Sequence, residues 1–341
     1  MVFGIEARRA QGGFRDTSTT ISSVGKNPDD PKGIRNKHLL ALGSEKENLF
    51  PGIRGDEQVL SFFADRGIKF WKSTRSGDDC FREGPTRNMA SSQIFCINFW
   101  YPIKEDVSLL IAILQSIDPN VENVVEIQPD SVSGNQKLSS FVEFEWVGSS
   151  TTLEKKAYSR GANATSIDAF IIGESIWERI GFFFEWKMVE EYRRNDLGEG
   201  KSGITRRKTY NEYIRSANSI FSKGIPIDAV LFEPFYQIFR MGLLGQKMIY
   251  EDKELDRVYV IPVYPRGNLA YSERITSRRL KESFSNLKTI SDIASNFFVE
   301  PVIYKSIFAD ELWDITKACS ITPDHKEWLT YMDSRYFQNG I

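Results

Sequence analysis

Two carboxylates and one amine in the middle of the chain have the residue types and the spacing for metal-assisted hydrolysis. Asp168 lies in the apolar run 166–172, and Glu185 and Lys187 lie at the end of a second apolar run, 180–187. Side chains alternate between the two faces of a β-strand, so Glu185 and Lys187 are predicted to share one face. Charges on a buried strand are costly unless they are compensated, which marks this pair as a candidate site.

Carboxylates on two adjacent strands would form a hard, oxygen-only site of the kind that Mg²⁺ or Mn²⁺ prefers. Such an ion lowers the pKa of a bound water and stabilises negative charge on phosphorus in the transition state. The Lys187 amine could position or deprotonate the attacking water, or it could screen the developing charge. A salt-bridged strand face would use the same residue types, so the pattern alone leaves both interpretations open.

Several other polar side chains are candidates for the same site. Glu143 and Glu145 share one face of a predicted half-buried strand and could add a metal ligand or a base, although a solvated acidic face explains them too. Gln237 and Arg240 lie on a predicted helix and could contact the scissile phosphate, because a guanidinium matches the geometry of phosphate oxygens. Alternatively, Gln237 makes a structural hydrogen bond and Arg240 is a surface charge. Gln93 lies on a mostly apolar helix and could belong to the site. Alternatively, its side-chain amide makes structural hydrogen bonds within the fold.

The elements that must position these residues are predicted in the order helix, three strands, helix, strand. A serine-capped helix at 91–101 comes first. The strand 141–146 alternates apolar and acidic residues, which predicts that Phe144 and Trp146 face the core together. The two carboxylate-bearing runs follow as antiparallel neighbours, and a helix then leads to a β-branched strand at 258–263.

These elements and several short motifs resemble the PD-(D/E)XK nuclease superfamily, and more narrowly a bacterial family of predicted restriction endonucleases. The matching motifs are Ser166-Ile167-Asp168-Ala169-Phe170, Phe184-Glu185-Trp186-Lys187, the Ser91-Ser92-Gln93…Asn98 helix, Glu190 with Tyr192, and Tyr236-Gln237…Arg240. The resemblance covers most of the chain, and Ile167 stands where the superfamily has proline. It implies divalent-metal-dependent phosphodiester hydrolysis, with Asp168 and Glu185 as metal ligands and Lys187 as the catalytic amine.

The resemblance also implies the fold. We expect an α/β restriction-endonuclease-like core, made of a helix, three strands, a helix and a strand, with added N- and C-terminal helices. Residues 1–37 are polar and rich in Gly, Ser, Asp, Lys and Arg, and they are predicted to form a flexible arm. Residues 38–341 are expected to form a single elaborated nuclease domain with its core at about 88–265.

Composition limits the class of protein. The chain has 341 residues with a net charge of −2, so a nucleic-acid surface must be local rather than global. Three cysteines without metal spacing indicate a reducing compartment, and the protein is predicted to be cytoplasmic. The longest helical apolar run, 108–117, falls short of the roughly 20 residues that cross a bilayer, so no membrane partner is expected.

Basic residues flank the polar segment after the second carboxylate-bearing strand, which is predicted to be a long loop at 193–207. They are Arg193, Arg194, Arg206, Arg207 and Lys208. Phosphate contacts supply most of the affinity for DNA, so these residues are predicted to bind it, with a solvated charge run as the alternative. Cutting both strands of a duplex is simplest with two sites, so a homodimer is compatible with this function.

Three other functions remain as alternatives. The same fold could serve as a non-catalytic DNA-binding or assembly protein. The segment 195–202 nearly matches a phosphate-binding P-loop, but Asn195 replaces the first glycine and the loop starts several residues after its strand. A glycosidase with two carboxylates would give Lys187 no necessary role.

Overall fold

The two apolar runs that carry Asp168 and Glu185 form neighbouring antiparallel strands at the centre of a mixed sheet. The structure is a computed structural model. It describes residues 2–29, 31–71, 81–82, 84–128, 138–148, 153–154, 164–192, 196–222, 226–320 and 322–338.

The described strands are β1 Phe70–Trp71, β2 Phe81–Arg82, β3 Asn123–Val125, β4 Glu143–Trp146, β5 Ile167–Glu174, β6 Arg179–Trp186, β7 Arg257–Tyr264, β8 Val302–Tyr304 and β9 Ile307–Phe308. β1 and β2 form a small antiparallel pair. The others form a sheet with the order β3-β5-β6-β7-β8, in which β4 also pairs with β5 and β9 with β7. β5 is antiparallel to its neighbours, whereas β7 is parallel to β6, β8 and β9.

The described α-helices are α1 Val2–Thr17, α2 Ser23–Lys26, α3 Pro31–Arg35, α4 Ser61–Asp65, α5 Ser92–Trp100, α6 Val107–Gln115, α7 Gly200–Ile214, α8 Ile227–Val230, α9 Phe235–Tyr250, α10 Leu269–Ser272, α11 Arg278–Ser283, α12 Ile290–Phe297, α13 Ala309–Cys319 and α14 Lys326–Met332. Short 3₁₀ or π segments lie at Glu45–Asn48, Pro51–Ile53, Asp56–Leu60, Tyr101–Ile103, Pro323–His325 and Asp333–Phe337. Within the described ranges, every helix is too short or too polar to cross a lipid bilayer.

Side-chain caps set where the helices before the sheet begin. The Ser91 hydroxyl accepts a hydrogen bond from the backbone N–H of Ile94 at the start of α5, and the Asp106 carboxylate accepts one from Leu109 at the start of α6. From α6 the chain passes through β3, β4, β5 and β6, then through α7, α8 and α9 to β7. A central mixed sheet with helices before and after it is compatible with an α/β nuclease-like fold.

Apolar side chains cover both faces of the sheet. Alternate residues of β6 lie in one hydrophobic cluster with α5, α6, α13 and α14; they are Ile180, Phe182, Phe184 and Trp186. Phe183 points to the opposite cluster, which contains residues of α7, α9 and α12. The predicted alternation along β6 is therefore confirmed, and it leaves Glu185 off the face that Trp186 occupies.

The alternation predicted for β4 is wrong. Phe144 lies in the cluster on one side of the sheet and Trp146 in the cluster on the other. Glu145, between them, has a φ of 47°, in the left-handed region that residues with a Cβ adopt only at a cost. The backbone conformation of Glu145 interrupts the regular alternation of side chains along β4. Phe144 and Trp146 therefore point to opposite faces of the sheet.

Part of the segment predicted as a flexible arm is folded. Residues 2–17 form α1, which buries Phe14 and Gln11 against the rest of the chain. The Gln11 amide donates to the backbone oxygen of Arg335 at 2.9 Å and accepts from its guanidinium at 3.1 Å. The polar composition of this segment indicated a flexible arm. In the structure, buried hydrogen bonds provide the Gln11 amide with partners inside the fold.

Candidate active site

A cleft of about 330 Å³ opens at the ends of β5 and β6 and brings together most of the residues that the sequence singled out. The predicted site residues that line it are Gln93, Glu145, Asp168, Glu185, Lys187, Gln237 and Arg240. They come from α5, β4, β5, β6, α9 and the residue that follows β6. The fold thus gathers side chains that are far apart in the sequence around one polar space.

Glu185 and Lys187 form a buried ion pair on the floor of the cleft. Lys187 Nζ lies 2.6 Å from Glu185 Oε1, and each residue is only 6% exposed. The backbone N–H of Lys187 donates to the oxygen of Val263 at 2.8 Å, which holds the chain beside β7 beyond the end of β6. Burial disfavours the Lys187 cation, but the neighbouring Glu185 carboxylate outweighs it and holds the pKa of Lys187 well above its usual range.

Asp168 lies beside this pair and is anchored through the backbone. Its Oδ2 accepts a hydrogen bond from the N–H of Trp186 at 2.7 Å, across the β5–β6 ladder. Burial raises the pKa of Asp168 well above its usual range, and the nearby Glu185 and Glu145 carboxylates raise it further. The surroundings of Asp168 therefore favour a proton or another positive charge at its carboxyl group.

Glu145 enters the cleft from β4 and is held by three donors. Gln93 Nε2 and Ser166 Oγ each donate to it at 2.8 Å, and the indole Nε1 of Trp71 donates at 3.1 Å. Burial raises the pKa of Glu145, although the Ser166 and Gln93 hydrogen bonds oppose the rise. Gln93 Oε1 also accepts a hydrogen bond from the backbone N–H of Trp71 at 2.9 Å. The Gln93 side chain therefore links Glu145 to the backbone of Trp71.

The cleft holds carboxyl groups of the kind that could bind a hard divalent cation. Asp168, Glu145 and Glu185 bring three carboxyl groups to a largely buried space in which Lys187 supplies one ammonium. Carboxylate oxygens are the ligands that Mg²⁺ and Mn²⁺ prefer. Across the described ranges, no group of three or more His, Cys, Asp or Glu side chains is arranged to hold a metal ion. A metal held by two carboxylates would therefore take its other ligands from water or substrate, as Mg²⁺ commonly does.

Glu143 does not line the cleft. Its Oε1 lies 2.8 Å from Arg66 Nε, and both side chains are almost fully buried. The Arg66 guanidinium also lies 3.5 Å from the centroid of the Phe62 ring. The left-handed backbone at Glu145 separates the two glutamates that the sequence placed on one face, so Glu143 has a structural partner in place of the predicted accessory role.

Gln237 and Arg240 project from α9 into the cleft. Gln237 Oε1 accepts from the Tyr192 hydroxyl at 3.2 Å. Arg240 Nε donates to Thr165 Oγ1 at 2.8 Å, and a second guanidinium nitrogen lies 3.6 Å from Glu154 Oε1. These contacts fix the position of the Arg240 guanidinium in the wall of the cleft.

The predicted DNA-binding residues have different surroundings. Arg193 and Arg194 lie outside the described residues. The segment predicted as a loop up to residue 207 is helical from Gly200 onward. Arg206 donates to the backbone oxygen of Leu197 at 2.7 Å, Arg207 pairs with Asp228, and Lys208 is exposed on α7. The Arg206 guanidinium also lies 5.7 Å from the centroid of the Tyr236 ring.

Sequence reasoning missed three residues that shape the site. Trp71 and Ser166 both donate to Glu145, and Glu154 pairs with Arg240. Ser166 belongs to the motif at residues 166–170 that resembles the nuclease superfamily, but no role was predicted for its side chain. Nothing near Trp71 or Glu154 in the sequence signals these contacts, because their partners come from distant elements.

The mixed sheet and its flanking helices form an α/β protein that is compatible with a nuclease-like fold. The chain matches the model of the family described as "Restriction Endonuclease associating with ARP" over residues 69–337, and it therefore belongs to that family. This match supports the restriction-endonuclease-like relationship that the motifs predicted. No curated protein and no solved structure matches the chain.

Proposed function

We propose that the protein is a divalent-metal-dependent nuclease that hydrolyses DNA phosphodiester bonds at a site of the PD-(D/E)XK type. One observation carries the proposal: Asp168, Glu185 and Lys187 line the same cleft, on adjacent antiparallel strands. Membership of a restriction-endonuclease-associated family supports the reaction class. The arrangement supplies carboxylate oxygens for a metal and a cation for a phosphate.

Asp168 and Glu185 would hold Mg²⁺ or Mn²⁺ through their carboxylate oxygens. When bound, the ion supplies Lewis-acid stabilisation of charge on the phosphate and a water ligand of lowered pKa. Both carboxylates are already positioned without it, Asp168 by the Trp186 amide and Glu185 by Lys187. Such fixed groups need little reorganisation during the reaction, which is the condition for effective electrostatic catalysis.

Lys187 would hold its positive charge beside the reacting phosphate. Without a metal, the Glu185 carboxylate raises the pKa of Lys187 and favours the ammonium form, which would act as an electrostatic stabiliser and a hydrogen-bond donor. Arg240 would contact a phosphate oxygen at the mouth of the cleft, because a guanidinium has more donors than its contacts with Thr165 and Glu154 use.

Cleavage assays test the proposal. Purified protein is incubated with supercoiled plasmid and with linear DNA in Mg²⁺, in Mn²⁺ and in EDTA. We expect metal-dependent cleavage that is lost in Asp168→Asn and Lys187→Met. Lys326→Met and Asp314→Asn, two exposed substitutions of the same chemistry outside the cleft, should cleave as the wild type. Cleavage retained in both cleft variants would overturn the proposal.

A non-catalytic DNA-binding or assembly protein on the same fold is the second candidate. It is favoured by the Lys187–Glu185 pair, which already neutralises one proposed ligand, and by the absence of a three-residue metal cluster among the described residues. Calorimetric titration with Mn²⁺ separates the two functions. A nuclease should bind the metal with heat that Asp168→Asn abolishes, whereas a binding-only protein should bind DNA without such heat and without cleavage.

The phosphate-binding loop is the weaker alternative. The N–H of Gly198 donates to Asp196 Oδ1 at 2.8 Å, so a carboxylate takes an amide that a bound phosphate would need. Lys201 is exposed on the first turn of α7. We expect Lys201→Ala to cleave DNA at the same rate as the wild type.

A further inference from the structure

Glu145 is in register with the two proposed metal ligands, on the strand next to theirs. The β4–β5 ladder pairs position 144 with 169 and position 146 with 167, which puts Glu145 opposite Asp168. The β5–β6 ladder pairs position 169 with 184, so Asp168 is in turn opposite Glu185. Side chains of directly opposed residues on neighbouring strands are close enough to interact. Three carboxyl groups therefore come from one row of positions across β4, β5 and β6.

The backbone of Glu145 has an uncommon conformation that separates it from Glu143. Its φ of 47° lies in the left-handed region, which a residue with a Cβ adopts only where the surrounding structure holds it there. Such outliers cluster at active sites. Glu143, two positions earlier on the same strand, pairs with Arg66, whereas Glu145 lines the cleft.

The donors to Glu145 fix both of its carboxylate oxygens. Oε1 accepts from Gln93 Nε2 at 2.8 Å and from Trp71 Nε1 at 3.1 Å, so two donors share this oxygen. Oε2 accepts from Ser166 Oγ at 2.8 Å, which, among the described contacts, leaves this oxygen a lone pair for a further donor. An amide N–H and an indole N–H donate and cannot accept, so they match the carboxylate form.

The proposed reaction needs a group that accepts a proton from the attacking water. Asp168 and Glu185 would direct their oxygens to the metal ion. Lys187 is ion-paired with Glu185, and without a metal this pairing favours its protonated form. Glu145 lines the same cleft with a fixed carboxylate and has none of these tasks. It is therefore placed to act as the acceptor.

Glu190 is the rival acceptor, because it also lines the described part of the cleft. Its Oε2 accepts a hydrogen bond from the backbone N–H of Met188 at 2.6 Å, a contact within the short segment after β6. Glu190 is partly exposed, whereas Glu145 is buried and is held by donors from distant parts of the chain. A group that is already fixed needs little reorganisation in the reaction, so the comparison favours Glu145.

We infer that Glu145 orients the attacking water through Oε2 and accepts its proton. As the water oxygen bonds to phosphorus, the proton passes to the Glu145 carboxylate. The bond between phosphorus and the leaving oxygen breaks with its electron pair on that oxygen, which takes a proton from solvent, and Glu145 then releases its own proton to solvent. This inference rests on the proposed function, because it assigns a catalytic residue to the same site.

Single-turnover cleavage of the DNA that the wild type cuts tests this role with Glu145→Gln and Glu145→Asp. A glutamine can accept from Gln93 and Trp71 through its oxygen and donate to Ser166 through its nitrogen, but it cannot take the proton of water. We expect Glu145→Gln to cleave roughly 10²–10⁴-fold more slowly, as loss of a general base does. Glu145→Asp keeps a carboxylate and should recover part of the rate.

The pH dependence of the rate separates a proton acceptor from a structural group. The neighbouring ionisable groups are Asp168 and Glu185 on the sheet and Cys96 on α5, and burial raises the pKa of the Cys96 thiol well above its usual range. All of them are unchanged in Glu145→Gln. The variant should depend on hydroxide, so its rate should rise about tenfold per pH unit after the wild-type rate has levelled off. The difference between the two proteins should therefore shrink as pH rises.

Two further variants and one binding measurement complete the test. Glu190→Gln should lose much less activity than Glu145→Gln. Glu273→Gln, which removes an exposed carboxylate outside the cleft, should cleave as the wild type. In calorimetric titration with Mn²⁺, Glu145→Gln should bind the ion with the same heat as the wild type, because Glu145 is assigned to the water and not to the metal.

Rates are compared per folded molecule, with melting temperatures measured for every variant. The inference is overturned if Glu145→Gln cleaves as the wild type does, if its loss is the same at every pH, or if Glu190→Gln shows the larger loss. It is also overturned if Glu145→Gln abolishes the Mn²⁺ heat, because Glu145 would then be a metal ligand. Metal-dependent cleavage that Glu145→Gln retains would refute this role and keep the nuclease. A wild type that cuts no DNA in either metal would refute the nuclease, and the proton acceptor with it.

Discussion

Lys187 Nζ lies 2.6 Å from Glu185 Oε1, and the two side chains compensate each other in a place that water barely reaches. Asp168, beside them, has the N–H of Trp186 as its hydrogen-bond donor but no ion pair among the described contacts. The cleft therefore holds more carboxyl groups than ammonium groups before any metal binds. The predictions about the cleft follow from this composition and from the strand geometry.

Lys187→Met should abolish most of the cleavage. Removing a group that stabilises charge in the transition state costs roughly 10²–10³-fold in turnover, and we expect a loss of at least about 100-fold under single-turnover conditions. Substrate affinity should change much less, because the Arg240 guanidinium also lines the cleft. The measurement is the cleavage rate of labelled DNA at saturating protein, with Lys326→Met as the matched control.

The same substitution should lower stability without metal. It leaves the Glu185 carboxylate buried and unpaired, a change that typically costs about 3–5 kcal/mol. Mn²⁺ should restore part of the loss if Glu185 is a metal ligand. Melting curves of Lys187→Met with Mn²⁺ and with EDTA check this, and equal melting temperatures in the two would contradict a metal at Glu185.

Glu233 should make stability depend on pH. Burial raises its pKa from the usual value to about 7, and its Oε2 has no hydrogen-bond partner among the described residues. The folded state then binds a proton more tightly than the unfolded chain, so stability falls as pH rises from about 4.5 to about 7. Glu233→Gln should flatten this slope and melt at a higher temperature than the wild type at pH 8.

The control for Glu233 is Glu273→Gln, which removes an exposed carboxylate. Melting temperatures are compared at pH 5 and pH 8 for the three proteins. A Glu233→Gln variant that follows the wild-type slope would show that this carboxyl does not titrate in the stated window.

The alternation of β6 could be predicted from sequence because it depends on local pattern alone. Phe182, Phe184 and Trp186 must face one apolar cluster, and that requirement fixes Glu185 on the other face. The pairing with the strand of Asp168 was also accessible, since two apolar runs separated by a short turn pair most simply as antiparallel neighbours.

The parts that could not be predicted depend on contacts between distant residues. Trp71 reaches Glu145 across 74 positions of sequence, and Gln11 reaches Arg335 across 324. The left-handed backbone of Glu145 is imposed by its surroundings, because nothing in a local pattern marks a residue with a Cβ for that conformation. The faces of Phe144 and Trp146 were mispredicted for this reason.

Glu143 and Glu145 should respond differently to the same substitution. Glu143→Gln weakens a buried ion pair with Arg66, so we expect a loss of roughly 3–5 kcal/mol of stability but unchanged cleavage per folded molecule. Glu145→Gln changes a carboxyl that lines the cleft, so we expect reduced cleavage with little loss of stability. Urea unfolding and cleavage rates at matched folded concentrations measure both effects. If Glu143→Gln cleaves more slowly than the wild type per folded molecule, Glu143 contributes to the candidate site and the prediction is wrong.

Arg335 should hold α1 to the rest of the protein. Its guanidinium, buried near the C-terminal end of the described chain, donates to the side-chain oxygen of Gln11 and to the backbone oxygens of Asn48 and Met89. Arg335→Met would leave these oxygens buried without their donor, and we expect a loss of about 3 kcal/mol or more in the free energy of unfolding by urea. Hydrogen exchange of residues 2–17 should rise even without denaturant, because α1 would lose its anchor. Arg278→Met, which removes an arginine whose side chain is 82% exposed, is the matched control; equal stability of the two variants would contradict an anchoring role.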